Sequence, residues 1–195
     1  MTTTAQALKA WEAENPEESL AEAVHVKLYC QMPPITKMDA SLGSLVNCER
    51  LALSTNSIDR INPLTGMGKL KILSLGRNAI KKIEKLEDVA GTLEELWLSY
   101  NAISTLDGLS HLTNLTTLYL SNNLIKSWAE LDKLAELKNL KDLLLVGNPI
   151  YDEFEKGPQC RIEILKRLPD LSKIDGDMVK PAERELAIQQ IAEAG

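Results

Sequence analysis

One spaced pattern returns five times along this chain, and it leaves few folds open. Written as Leu-x-x-Leu-x-Leu-x-x-Asn-x-Ile, it reads Cys48, Leu51, Leu53, Asn56, Ile58 and then Leu70, Leu73, Leu75, Asn78, Ile80. It continues as Leu93, Leu96, Leu98, Asn101, Ile103, as Leu115, Leu118, Leu120, Asn123, Ile125, and finally as Leu140, Leu143, Leu145, Asn148, Ile150. The asparagines step by 22, 23, 22 and 25 residues, and Cys48 is the only substitute for a first leucine. Partial units precede the run (Ile35, Met38, Ala40) and follow it (Leu171, Ile174). Self-similarity at such a period marks a stacked array.

The spacing dictates the local structure. Leu-x-Leu has the period of a strand, so both leucines face inward and the residue between them faces out. A unit of one short strand and a return segment cannot bury its leucines alone. Stacking units about 4.8 Å apart gives a parallel sheet and a continuous core. The expected fold is therefore α/β: a leucine-rich-repeat solenoid with a short parallel sheet on its concave face and helices or turns on its convex face. The apolar share of 44 % with only 4 % aromatics suits such a thin, aliphatic interior. Asn56, Asn78, Asn101, Asn123 and Asn148 sit where the chain leaves each strand. Their amides are expected to form a structural ladder, satisfying backbone groups of adjacent turns.

Terminal units need caps, so the chain divides into a helical cap (1–34), the array (35–152), a capping repeat (153–180) and a final helix (181–195). In the first segment a short helix is expected around Leu8 and Trp11. Asn15-Pro16-Glu17-Glu18 reads as a second helix start, leading into an amphipathic run from Leu20 through Val24 to Leu28. Ser127-Trp128-Ala129-Glu130 is a capping-box pattern that predicts a helix in the fourth return, with Trp128 packed on the convex side. Ile162 to Leu168 reads as a helix, and Leu168-Pro169-Asp170-Leu171 through Asp175-Gly176 as a closing turn. Pro181 opens the last helix, whose main large apolar residues are Leu186 and Ile191; it either packs on the array or projects from it.

No chemistry is legible. The sequence holds no phosphate loop, nucleophile elbow or metal box, and its carboxylate pairs (Glu17–Glu18, Glu94–Glu95) read as solvated faces. The expectation is a non-enzyme with no cofactor and no metal. A net charge of −6 argues against nucleic acid and anionic membranes as partners. No apolar run approaches the roughly 18 residues of a membrane span, and Met1 to Glu14 lacks a signal-peptide core. Cys30, Cys48 and Cys160 are odd in number and scattered, so a reducing, intracellular compartment is expected.

What remains is a binding face. The outward residue between the two strand leucines runs Ala52, Ser74, Trp97, Tyr119, Leu144 through the units. The last three are expected side by side across roughly 10 Å of open sheet. Val146 and Ile72 add apolar neighbours, while Ser54, Gly76, Ser99 and Ser121 leave room for close approach. Contiguous aromatics on an exposed strand mark an interface, unless a cap covers them. Lys37, Arg50, Lys71 and Arg77 on the early units and Glu94, Glu95 and Asp142 beside the aromatics give that face a polarised rim.

Several stretches carry a resemblance. Lys37 to Leu42, Leu53 to Asn56, Leu73 to Asn78, Glu94 to Asn101, Ser121 to Leu124, Ala135 to Leu137 and Val146 to Pro149 resemble the leucine-rich-repeat light chains of axonemal outer-arm dynein. That family lies within the intracellular leucine-rich-repeat proteins with units of about 22 residues, which also include regulatory subunits of a protein phosphatase. The resemblance covers about Leu8 to Val179 and is most specific around Trp97. It implies a cytoplasmic, ciliary or flagellar axonemal protein that binds a dynein heavy chain in its motor region, at or near the microtubule-binding stalk tip with tubulin nearby, and tunes motor activity. It also places the family's hydrophobic sheet face on Trp97, Tyr119 and Leu144. The alternative is an adaptor or inhibitor of a protein phosphatase; a ribonucleoprotein subunit is disfavoured because the basic residues form no aromatic-interleaved patch.

Overall fold

The computed structural model describes residues 2–154 and 158–194. Its centre is one eight-stranded sheet, five of whose strands are the Leu-x-Leu elements. Strands β4 (Arg50–Ala52), β5 (Ile72–Ser74), β6 (Glu95–Trp97), β7 (Thr117–Tyr119) and β8 (Asp142–Leu144) pair in parallel, in register and in sequence order. The register aligns Leu51, Leu73, Leu96, Leu118 and Leu143, and all five are buried. Behind them a single aliphatic core runs the length of the stack. This is the leucine-rich-repeat solenoid.

The N-terminal segment departs from expectation. Helix α1 (Thr4–Glu14) buries Leu8 and Trp11, as the sequence suggested. Residues 20–28, however, form no helix. His25–Lys27 is β2, the outermost strand of the sheet, with Val26 in register with Leu51. Ala23, Val26 and Leu28 occupy the three leucine positions of a further unit and are buried. Backbone conformation gives the same answer. In every unit the residue before the asparagine is left-handed: Thr55 (φ 56°), Arg77 (53°), Tyr100 (60°), Asn122 (53°) and Gly147 (81°). Cys30 (52°) holds that place here. The physical reason is that three buried positions fitting an existing stack outweigh a local helix-start signal. Ile35 and Met38 are then this unit's return segment. Strand β3 (Ile35–Lys37) accordingly lies outside the main sheet and pairs in parallel with β1 (Thr2–Thr3).

Asp39 fixes α1 to the array. Its backbone N–H donates to Thr4 Oγ1 (2.9 Å), and its Oδ2 accepts from the Ala5 N–H (3.3 Å). Burial pushes the Asp39 carboxyl up, but hydrogen bonds from Ser41, Thr3 and Ala5 outweigh it and hold the group at about 2.

The return helix α2 (Trp128–Asp132) starts where the capping pattern put it, with Ser127 Oγ accepting from the Ala129 N–H (3.3 Å). Glu130 does not reach back to its own cap; its Oε2 accepts from the Leu106 N–H of the preceding unit (2.7 Å). Trp128 packs within the chain, against Phe154 (5.7 Å) and under Arg167 (5.2 Å). Cys48 and Cys160 are buried, Cys30 is exposed, and all three are free. Burial raises the Cys48 thiol to about 11.

At the C-terminal end α3 (Gln159–Arg167) leads to β9 (Lys173–Ile174), which joins β8 in parallel, and β10 (Asp177–Met178) returns antiparallel. Asp175 (φ 52°) and Gly176 (φ 89°) make the turn, the left-handed pair that a two-residue hairpin needs. Helix α4 (Pro181–Ala194) packs along α3, burying Ala187 and leaving Leu186, Ile188 and Ile191 exposed. Arg161 joins all three elements: Nε to Glu183 Oε1 (2.6 Å), Nη1 to the Ile174 carbonyl (2.6 Å) and Nη2 to the Met178 carbonyl (3.2 Å).

Asp175 also ends the array. In inner units the N–H of the second strand leucine donates to the next strand, as Leu120 does to the Leu144 carbonyl (2.7 Å). Leu145 has no such strand beside it and donates to Asp175 Oδ1 (2.7 Å), as does Val146 (2.9 Å), while the Tyr151 hydroxyl donates to Oδ2. Burial, then the adjacent Asp175 charge, pushes the Tyr151 hydroxyl up and keeps it protonated as a donor. Asp175→Ala should lower stability by about 2 kcal/mol, since it strands donors at the end of the core. A denaturant titration matching wild type would show that this carboxylate is not the terminal cap.

Candidate partner-binding face

The register that stacks the leucines also stacks the residues between them. Ser74 pairs with Trp97, Trp97 with Tyr119 and Tyr119 with Leu144. The Trp97 and Tyr119 rings lie with centroids 5.8 Å apart and planes at 25°, an offset stack. Trp97 remains 37 % exposed, and Tyr119, Leu144 and Ile72 are half-buried. Val146 is exposed at the end of the same row of strands.

The acids of the rim are engaged with the aromatics. Trp97 Nε1 donates to Glu95 Oε2 (3.1 Å), which pins the indole edge. The Tyr119 hydroxyl donates to Asp142 Oδ2 (3.1 Å), and Lys173 Nζ reaches the same oxygen at 3.1 Å. Burial, and then the neighbouring Asp142 carboxylate, raises the Tyr119 hydroxyl above its ordinary value, so it stays a donor. Two large rings are thus held by fixed polar partners before anything binds, which reduces the ordering cost of an interface.

The basic residues do not form one group. Arg50 faces the sheet opposite Ile72. Arg77 stands at the rim, its guanidinium 4.4 Å over the Tyr100 ring of the next unit. Lys71 pairs with Glu49 (3.0 Å), and Lys37 lies in β3, off the sheet. The unit missed in the sequence adds His25 and Lys27 beside Arg50. These three line a shallow hollow of about 320 Å³, floored by Ala52 and Ser74 and walled by Trp97. The signal that could have found it was Ala23-x-x-Val26-x-Leu28, with Gln31 in the asparagine's place.

Behind the face each ladder asparagine makes the same bonds. Asn101 Nδ2 donates to the Leu75 and Leu98 carbonyls (both 3.0 Å), and its Oδ1 accepts from the Ile80 N–H (2.9 Å). Asn123 does so with Leu98, Leu120 and Ile103 (all 3.0 Å), and Asn148 with Leu120 (2.8 Å), Leu145 (2.7 Å) and Ile125 (3.0 Å). Asn56 and Asn78 repeat the arrangement at the N-terminal end.

Comparison with known proteins decides the family. The family model described as Leucine Rich repeats (2 copies) matches residues 92–133, the segment that carries Trp97 and Tyr119. Dynein axonemal light chain 1 of Chlamydomonas reinhardtii is 52 % identical over 189 residues, covering 95 % of this chain and 95 % of its own. The chain belongs to the dynein axonemal light chain 1 family. The light chain of Danio rerio is 53 % identical (94 % of this chain, 95 % of its own) and that of Homo sapiens 50 % (94 % and 96 %). Among solved structures, an internalin from Listeria monocytogenes superposes with a TM-score of 0.62 at 22 % identity, covering 87 % of this chain and 46 % of its own. The Drosophila melanogaster SNF/U2A′ complex gives 0.56 at 21 % identity, covering 97 % and 92 %. Those two likenesses speak to the fold alone. In this member of the family, then, the concave sheet is an ordered apolar stack with a polar frame.

Proposed function

We propose that this protein is a regulatory, non-catalytic light chain of outer-arm dynein in the axoneme of a cilium or flagellum. It binds the dynein heavy chain in its motor region, at the stalk that carries the microtubule-binding domain, next to tubulin, and tunes motor activity. The concave face makes the contact through Trp97, Tyr119 and Leu144, with Ile72 and Val146 extending the apolar strip. Glu95, Asp142, Arg50 and Arg77 form its charged rim. The observation that carries this reading is the Trp97–Tyr119 stack, open to solvent on a sheet whose fold does not require it. The name borne by relatives about half identical over nearly the whole chain supports dynein as the assembly it serves.

Affinity capture from a ciliated-cell extract tests it, with the bound proteins identified by mass spectrometry. A dynein heavy chain should be retained by the wild-type chain. Recovery of a phosphatase catalytic subunit in its place would overturn the proposal and favour the adaptor reading.

A further inference from the structure

A second charged surface lies away from the concave sheet, on the return segments. Ile35, Ile58 and Ile80 hold equivalent places in three successive units, each donating its N–H to the asparagine of the next unit at 2.9, 3.0 and 2.9 Å. Two residues after each stands a cation: Lys37, Arg60 and Lys82. Arg60 lines two adjoining shallow hollows, one of about 410 Å³ shared with Lys37 and one of about 350 Å³ shared with Lys81 and Lys82. The row is therefore one continuous surface crossing three turns of the solenoid.

All four cations are exposed, and among the described residues none is in an ion pair. Exposed cations without an ion-pair partner also stand elsewhere, Lys138 and Lys141 among them; what sets these four apart is that they line adjoining hollows. Crowding like charges within one Debye length is unfavourable, and only Asp59 and Glu84 in the same hollows offset it. A chain with a net charge of −6 thus keeps an unpaired cationic row on one flank.

We infer that this row is a second docking surface, and that its occupant is an acidic polypeptide segment. The surface shares no residue with the concave face and stands independently of the function proposed for it. Asp59 separates Lys37 from Lys81 and Lys82, so carboxylates on a flexible chain can straddle it, where a continuous phosphate backbone meets repulsion. No aromatic lines either hollow for a base to stack on. No exposed apolar side chain lines them to enter a bilayer, since Met38 is fully buried.

The probe is a fluorescein-labelled octaglutamate peptide, titrated with the full chain at low ionic strength and followed by anisotropy. Saturable binding that weakens with added salt is expected. The variant K37E/R60E/K82E should lose roughly tenfold or more in affinity, and the neutral K37Q/R60Q/K82Q should lose less, in the same direction. The control K9E/K138E/K141E changes net charge equally from other exposed positions and should bind within about twofold of wild type, as should W97A/Y119A. Thermal melts confirm that each variant is folded, and the glutamine variant serves if the reversal one is not. The inference is overturned if wild type does not bind the peptide, or if row and control variants weaken alike. It is equally overturned if phosphatidylserine vesicles or duplex DNA bind through these residues more tightly than the peptide.

Discussion

Replacing Trp97 and Tyr119 together by alanine is expected to remove most of the affinity for the heavy-chain stalk domain while leaving the solenoid folded. Large aromatics bury about 150–250 Å² each, and truncating such anchors at the centre of an interface often costs about 2 kcal/mol or more. At 1.4 kcal/mol per factor of ten, that is roughly thirtyfold per residue. The rings stack on each other at 5.8 Å, so the two losses should not add. Trp97, more than a third exposed, should matter little for stability. Tyr119 is half-buried and bonded to Asp142, so its removal has some folding cost, and Tyr119→Phe keeps the ring while deleting that bond. The measurement is calorimetric titration of each purified variant, with melting curves beside it. Unchanged affinity in the double variant would place the interface elsewhere; a collapse in Tm would show the rings to be core.

The second large effect concerns the ladder. Asn123 is 4 % exposed and makes three 3.0 Å bonds that join two units. Asn123→Ala leaves the buried Ile103 N–H without its acceptor, at about 1–3 kcal/mol for an unsatisfied group. It also takes one of two amide donors from each of the Leu98 and Leu120 carbonyls, which keep Asn101 and Asn148. We expect about 2 kcal/mol in all, which for a chain of this length is roughly 6 °C in Tm. Asn123→Asp discriminates further. It keeps shape and acceptor but turns a carboxylate oxygen towards the Leu98 and Leu120 carbonyls. At neutral pH it should be worse than alanine, because the buried charge has no donor there to compensate it. Its carboxyl pKa should be raised in the folded state, so the variant should gain stability relative to wild type as pH falls through that raised value. If urea titrations find both variants as stable as wild type, the asparagines are not what joins the units.

The array was legible from Cys48 to Ile150 because every unit repeats the same demand: two inward leucines two residues apart, and an amide at the exit. The side-by-side placement of Trp97, Tyr119 and Leu144 followed from that period, since parallel pairing in register leaves no freedom in which outward residues become neighbours. The first unit was illegible for a physical reason. Its asparagine is Gln31 and its leading leucine is Ala23, while Met32-Pro33-Pro34 lengthens its return. Asn15-Pro16-Glu17-Glu18 meanwhile offers a local helix start that only the finished stack overrides. Asp175 was visible as a turn residue, but its service as an acceptor for Leu145 and Val146 depends on a strand being absent beside it. No local pattern encodes an absence. The partners of the rim acids were hidden too: Glu95 and Asp142 read as rim charges beside the aromatics, yet each accepts a bond from one of those rings.

The ladder bonds between units all point one way. Each asparagine reaches back to a carbonyl and an N–H of the unit before it, never forward, from Asn56 with Leu28 and Ile35 to Asn148 with Leu120 and Ile125. A unit is therefore completed by its successor. On a ribosome the newest unit always emerges with an open exit turn, and only the next stretch of about 22 residues closes it. The last unit has no successor, and Asp175 with Tyr151 takes that part. Losing a unit from the front should leave every remaining exit turn closed. Shortening the chain from the back should reopen one at each step, so the two ends of this molecule are unequal as places to cut.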